Sequence, residues 1–140
     1  MDNIKSFELD HNTMTPGFYC LGESHNVYTY DLRFKKPNGG DYIDYASIHS
    51  IEHLFAVVIR NSSIKENVVY FGPMGCRTGF YLLLYGIEEV RAKQITLECF
   101  QKCLELDYVP GTQPIECGNY LEHDLAGAQK EIKNYIKTLE

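Results

Sequence analysis

No stretch of this sequence approaches the run of about eighteen apolar residues that a membrane-spanning helix requires, so no such span is expected. The opening residues, MDNIKSFELDHN, lack the basic-then-apolar order of a secretion signal, which makes the cytosol the expected compartment. Clustered basic residues are missing too. The 13 lysines and arginines are scattered among 19 acidic residues, for a formal charge of −6 and a pI near 5.3. That balance argues against a nucleic-acid backbone or an anionic membrane as partner and favours a small soluble ligand. Nor is there an internal repeat, a low-complexity tract or a linker long enough to divide two domains. With 140 residues, 44% of them apolar, the expectation is one globular domain over residues 1–140, long enough to bury a core.

Cysteine is present as an odd set of five: Cys20, Cys76, Cys99, Cys103 and Cys117. In a reducing compartment a disulfide framework is not expected, and metal binding or thiol chemistry gains weight.

The segment NVYTYDLRF alternates, with Tyr28, Tyr30, Leu32 and Phe34 on one face and Val27, Thr29, Asp31 and Arg33 on the other. This predicts a half-buried strand with Arg33 pointing away from the core. The following PNGGD is turn chemistry. From about Tyr45 to Asn61, Ile48, Ile51, Phe55, Val58 and Ile59 recur at helical spacing. His49, Glu52, His53 and Ala56 form a second stripe on that helix, so both faces are expected to be buried. NVVYFG and GFYLLLYG read as strands around the loop GPMGCRT, which sets Cys76 in a tight turn. A helix from about Glu88 to Leu106 stops at YVPG, and a last helix begins near Asp124, with Leu125, Ala128, Ile132, Ile136 and Leu139 inward. Three or four strands and three helices in mixed order predict an α+β layered fold.

The residues that carry chemistry lie in SIHSIEHLFA. Histidines four apart project from one side of a helix, close enough to bind one metal ion. Glu52, between them, can approach the open side of that ion as a general acid/base. A bare pair at this spacing is as readily two core histidines bonded to carbonyls. Glu52 shifts the balance, because a carboxylate on a doubly buried helix costs roughly 3 kcal/mol or more unless a nearby cation compensates it.

For a third ligand the chain offers Cys117, in the irregular stretch before the last helix, and Cys76. One thiolate with two imidazoles suits Zn²⁺ or Fe²⁺ and leaves a position for substrate. If Cys117 binds, Cys76 is a free thiol whose thiolate backbone amides, the nearby metal and Arg77 or Arg33 would favour, as base or nucleophile. Cys20, Cys99 and Cys103 read as small core residues. His123 is either a support for the metal loop or, beside Asp124, part of a helix cap. His25 reads as a surface residue beside a turn, and Glu88 with Glu89 as a favourable helix start. The 11 tyrosines fit either a core or an aromatic subunit interface.

Two competing functions use the same helix. An inverted-zincin peptidase would take a downstream carboxylate such as Glu98 or Glu116 as third ligand, but it gives the cysteines no role. A structural zinc site closed by His49, His53, Cys76 and Cys117 would make the chain a non-enzymatic interaction module.

In order along the chain, SFELDH, YDLRF, IHSIEHLFA, PMGCRTGFYL and ECGNYLEHDLAGAQ resemble the blocks of the LuxS family of S-ribosylhomocysteine lyases and span nearly the whole sequence. The resemblance implies an α+β fold with an antiparallel sheet packed against helices. It also implies an obligate homodimer with active sites at the subunit interface. One divalent metal per subunit is implied, Fe²⁺ natively, with Zn²⁺ or Co²⁺ able to substitute. Carried over by position, the family's metal ligands fall on His49, His53 and Cys117, and its acid/base residues on Glu52 and Cys76. Its substrate contacts fall on Ser6, His11 and Arg33, which reach the neighbouring subunit's site. The implied reaction moves the sugar carbonyl of S-ribosylhomocysteine from C1 to C3. β-Elimination then releases homocysteine and 4,5-dihydroxypentane-2,3-dione, the precursor of autoinducer-2. One departure stands at Tyr70, where the family often has an acidic residue, and it bears on how the substrate's amino-acid end is anchored.

Overall fold

The computed structural model describes residues 1–140. Its elements are α1 (Lys5–Glu8), β1 (Gly17–Ser24), β2 (Val27–Arg33), α2 (Tyr45–Ile59), β3 (Val68–Pro73), β4 (Gly79–Tyr85), α3 (Glu89–Cys103) and α4 (Leu125–Leu139). The strands form one antiparallel sheet in the order β1-β2-β4-β3, and α2, α3 and α4 pack together beside it. The architecture is therefore α+β, as expected. No helix is long and apolar enough to cross a membrane.

β1 and β2 are joined through His25 and Asn26, which both adopt left-handed φ, 53° and 64°. A two-residue turn of this hand matches the right-handed twist of the paired strands. His25 is an exposed turn residue, as its sequence context suggests.

Side chains alternating along the strands supply one wall of the core: Tyr30 and Leu32 from β2, Phe71 from β3, and Phe80, Leu82 and Leu84 from β4. The helices supply the other wall. Each large apolar side chain fully buried there contributes about 1.5–3 kcal/mol. At the centre, Phe34 stacks on Tyr135 with ring centroids 4.1 Å apart, and Phe55 lies 4.3 Å from Phe100. Tyr30 and Tyr135 are buried, whereas Tyr42, Tyr45, Tyr70, Tyr85, Tyr108 and Tyr120 are exposed.

Helix α2 starts where Asp44 accepts the backbone N–H of Ser47 at 2.9 Å, a cap worth about 1 kcal/mol. It buries Ile48, Ile51, Leu54, Phe55 and Ile59. The stripe of His49, Glu52, His53 and Ala56 is only half-buried, so the expectation of two buried faces is corrected. The loop between α3 and α4 covers His49 and His53 through the carbonyls of Glu122 and Pro110, and Glu52 keeps a third of its side chain in contact with solvent.

Two further corrections concern strands. Arg33 lies across the sheet from Tyr30 and Leu32, yet it is only 1% exposed and Asp31 is 0% exposed. These neighbours on one face form a bidentate pair, Nε to Oδ1 at 3.1 Å and Nη2 to Oδ2 at 2.6 Å. The pairing is what makes burial of both charges tolerable. Cys20, expected in the core, is exposed on β1. That edge strand bulges between Cys20 and Gly22, where the regular alternation is interrupted. Cys99 and Cys103 are buried, as expected, and burial pushes their thiols up to about 11 and about 12.

Candidate metal centre and thiol cleft

The loop of residues 104–124 is folded onto α2 by side-chain bonds. His53 Nδ1 donates to the carbonyl of Pro110 at 2.8 Å, and His49 Nδ1 donates to the carbonyl of Glu122 at 2.9 Å. Gly111 follows Pro110 with φ +73°, and a β-carbon there would lie 3.1 Å from His53 Nδ1. The position therefore demands glycine both for its left-handed backbone and for the close approach. At the far end of the loop Ser50 Oγ accepts the N–H of Asp124 at 2.8 Å. Asp124 in turn caps α4 by accepting the N–H of Gly127 at 2.9 Å.

These contacts bring Cys117 over the two helix histidines. Its Sγ lies 3.3 Å from His49 Nε2, within the roughly 3.3–3.6 Å edge expected between ligand atoms of a tetrahedral site with ordinary Zn–N and Zn–S lengths. His49, His53, Cys117 and His123 each present one donor atom, all within 4.8 Å of one another. The donor set of soft thiolate and imidazole fits a divalent transition metal. Glu52 stands beside the cluster, its Oε1 4.0 Å from His53 Nε2.

His123 is the site residue that periodicity does not reveal. Its ring lies 3.9 Å from that of His49, centroid to centroid, and its Nε2 is 3.9 Å from Cys117 Sγ. Burial, reinforced by His49 and His53, holds its pKa down at about 4. The signal available in the sequence is its place six residues after Cys117 and one before the cap. The helix is capped by Asp124, not by His123.

Cys76 is elsewhere. With Ser6, Phe7, His11, Arg33, Pro73, Met74, Gly75 and Tyr81 it lines a cleft of about 330 Å³. None of the residues of the metal-ligand cluster, nor Glu52, lines that cleft. Ser6 is held there by a hydrogen bond to the Tyr81 hydroxyl, and His11 Nδ1 donates to the Leu9 carbonyl at 2.9 Å.

The thiol is exposed and sits 3.0 Å from Thr78 Oγ1, which accepts from Arg33 Nη1 at 2.8 Å. Arg77 does not serve the thiol. Its guanidinium lies 4.5 Å over the Tyr45 ring and donates to the Ile43 carbonyl at 3.1 Å. Arg77 also holds a left-handed φ of 60°, a conformation that disfavours a residue with a β-carbon.

This geometry removes both competing sites. Cys76 is outside the ligand cluster, so a zinc closed by His49, His53, Cys76 and Cys117 is not what the chain builds. Neither Glu98 nor Glu116 is in the cluster; Glu116 instead accepts the backbone N–H of Gln113 at 3.1 Å. Tyr70 is half-exposed on β3 and does not line the cleft.

The sequence model of the S-ribosylhomocysteinase (LuxS) family matches residues 4–140. The chain belongs to the LuxS family. It is 40% identical to an S-ribosylhomocysteine lyase of Borreliella burgdorferi (strain ZS7), over 99% of this chain and 93% of the relative. It is 38% identical to one of Phocaeicola vulgatus, over 97% and 89%, and 37% identical to one of Porphyromonas gingivalis (strain ATCC BAA-308 / W83), over 98% and 91%. LuxS membership thus covers every element that carries the ligand cluster and the thiol cleft.

Proposed function

We propose that this chain is a metal-dependent S-ribosylhomocysteine lyase, one catalytic domain over residues 1–140, acting in the cytoplasm. The carrying observation is the cluster of two helix imidazoles and one thiolate, with a carboxylate beside it, in a chain similar throughout to proteins of that name. His49, His53 and Cys117 hold one divalent ion, Fe²⁺ in the cell with Zn²⁺ or Co²⁺ as substitutes. An ion there supplies Lewis acidity toward the sugar carbonyl, which makes the adjacent C–H bonds acidic.

Cys76, as thiolate, takes the proton from C2 of the opened sugar and returns one to C1, then repeats the transfer one carbon along, from C3 to C2. Toward a Cys76 thiolate Thr78 is the donor, while its oxygen accepts from Arg33 Nη1. Glu52 takes the proton from C4. The electron pair left at C4 forms a double bond to C5 as the C5–S bond breaks and homocysteine leaves. The resulting C4 enol gives up its hydroxyl proton and takes one at C5, which yields the five-carbon 4,5-dihydroxypentane-2,3-dione. Ser6, His11 and Arg33 bind the substrate from the cleft.

A homodimer is the arrangement that would bring the two halves together. Acid/base chemistry at neighbouring carbons requires Cys76 and Glu52 on one substrate, yet one chain keeps them in separate surroundings. A second copy that seats its thiol cleft on the metal cluster of the first completes two equivalent sites by twofold symmetry. Exposed Phe7, on the rim of the cleft, and exposed Tyr45 offer apolar surface for that contact. The test is product identification: incubation of the Fe²⁺ form with S-ribosylhomocysteine yields a vicinal dione, trapped by an aromatic 1,2-diamine, together with equimolar free thiol. A peptidase or a structural domain yields neither.

A further inference from the structure

The three histidines around Cys117 differ in what their Nδ1 atoms meet. His49 and His53 face the carbonyls of Glu122 and Pro110. A carbonyl oxygen only accepts, so both Nδ1 atoms carry hydrogen and each neutral ring keeps its Nε2 lone pair for the cluster. His123 Nδ1 instead faces the hydroxyl of Ser50, at 3.0 Å.

Ser50 is fully buried, and its Oγ already accepts the backbone N–H of Asp124. The hydroxyl has one hydrogen to give, and His123 Nδ1 is the other partner within reach. If His123 donated instead, that hydrogen would be left in the interior with no acceptor, which buried polar groups rarely tolerate. Ser50 therefore donates, Nδ1 accepts, and the ring hydrogen of neutral His123 resides on Nε2, the atom facing Cys117 Sγ at 3.9 Å.

We infer that His123 is not a metal ligand but an N–H donor to the Cys117 thiolate, a positioning residue whose tautomer is set by Ser50. The inference rests on the reading that His49, His53 and Cys117 hold a divalent ion. It deepens that reading by explaining why four donors in one cluster amount to three ligands: the fourth has its nitrogen capped by hydrogen, so one coordination position stays free for substrate. An N–H directed at the sulfur also withdraws charge from the thiolate, leaving the ion a stronger Lewis acid.

The test uses the Zn²⁺-loaded full chain with ¹⁵N-labelled histidine, whose tautomers are read from two- and three-bond ¹H–¹⁵N correlations, with the His123 ring assigned by its loss in His123→Gln. The expected spectrum has two rings with hydrogen on Nδ1 and metal on Nε2, and the His123 ring with hydrogen on Nε2 and Nδ1 bare. A His123 ring with metal on Nε2, or with hydrogen on Nδ1, overturns the inference and leaves the metal centre standing. Failure of the wild-type chain to take up one equivalent of Zn²⁺ overturns the metal reading as well.

The Co²⁺ form gives an independent readout in its sulfur-to-metal charge-transfer band. His123→Ala should move the band to lower energy at unchanged one-to-one cobalt. His123→Gln, which keeps an N–H donor, should restore most of the position. A band unmoved in His123→Ala, or loss of cobalt in that variant, contradicts the assignment.

Discussion

Thr78 Oγ1 stands 3.0 Å from Cys76 Sγ and takes its own hydrogen bond from Arg33, which is itself clamped by Asp31. With Cys76 as the proposed thiolate the hydroxyl proton points to sulfur, and Thr78 links the thiol to the buried Asp31–Arg33 pair. Thr78→Val keeps the volume and removes this donor. Iodoacetamide alkylation of Cys76 at neutral pH should slow by roughly tenfold, the scale of one hydrogen bond to a charged group. An unchanged rate would show that Thr78 is only packing.

The thiols divide by surroundings. Cys20 and Cys76 are exposed, while burial holds Cys99 at about 11 and Cys103 at about 12. Both buried thiols therefore stay protonated at pH 8, where only the thiolate reacts. In the metal-loaded folded protein, peptide mapping after brief alkylation should find label on Cys20 and Cys76 alone. Removing the metal with a chelator should expose Cys117 to labelling. Label on Cys117 with the metal still bound would contradict its assignment as a ligand.

Helices α2 and α4 meet at Gly127, where an added β-carbon would fall 2.2 Å from Ser47 Oγ and 2.6 Å from Asp124 Oδ2. Ser47 cannot retreat freely, because it is buried and bonded to Asp44. Gly127→Ala should destabilise the fold by about 1–3 kcal/mol, seen as a lower midpoint in urea. It should also weaken Zn²⁺ binding in chelator competition, since Asp124 and His123 hang from the same joint. Equal stability and metal affinity would mean that the joint yields without consequence.

The proposed sharing of each site between two subunits makes a quantitative prediction. Cys76→Ala and His49→Ala homodimers should both be inactive. Subunits unfolded and refolded together should regain about a quarter of wild-type turnover, because half the dimers are mixed and each has one site with both functions intact. No recovery from an efficiently mixed sample would place the thiol and the metal of one site in a single subunit.

Much of this was legible locally. The 3.6-residue recurrence of Ile48, Ile51 and Phe55 marks α2 and sets His49 and His53 one turn apart on a common face, and glycine and proline bound β3 and β4. What stayed hidden depends on partners far along the chain. The burial of Arg33 needs Thr78, 45 residues away, and His123 joins the cluster through Ser50, 73 residues away. No periodicity carries such distances. Strand β1 is faint in the sequence, because it buries no side chain fully and its alternation is broken by a bulge between Cys20 and Gly22. The placing of Cys76 in a cleft that Glu52 does not line is equally invisible, since order along a sequence does not say which residues share a cleft.

Anaerobic incubation of the Fe²⁺ protein with S-ribosylhomocysteine, with free homocysteine measured over time, reads the proposed carbon–sulfur cleavage itself. Wild type should release one homocysteine per substrate consumed. Cys76→Ala and Glu52→Gln should bind one equivalent of iron and release none, and His49→Ala should lose both iron and turnover. Normal homocysteine release by Glu52→Gln or Cys76→Ala, or full turnover after the iron is stripped, would contradict the account.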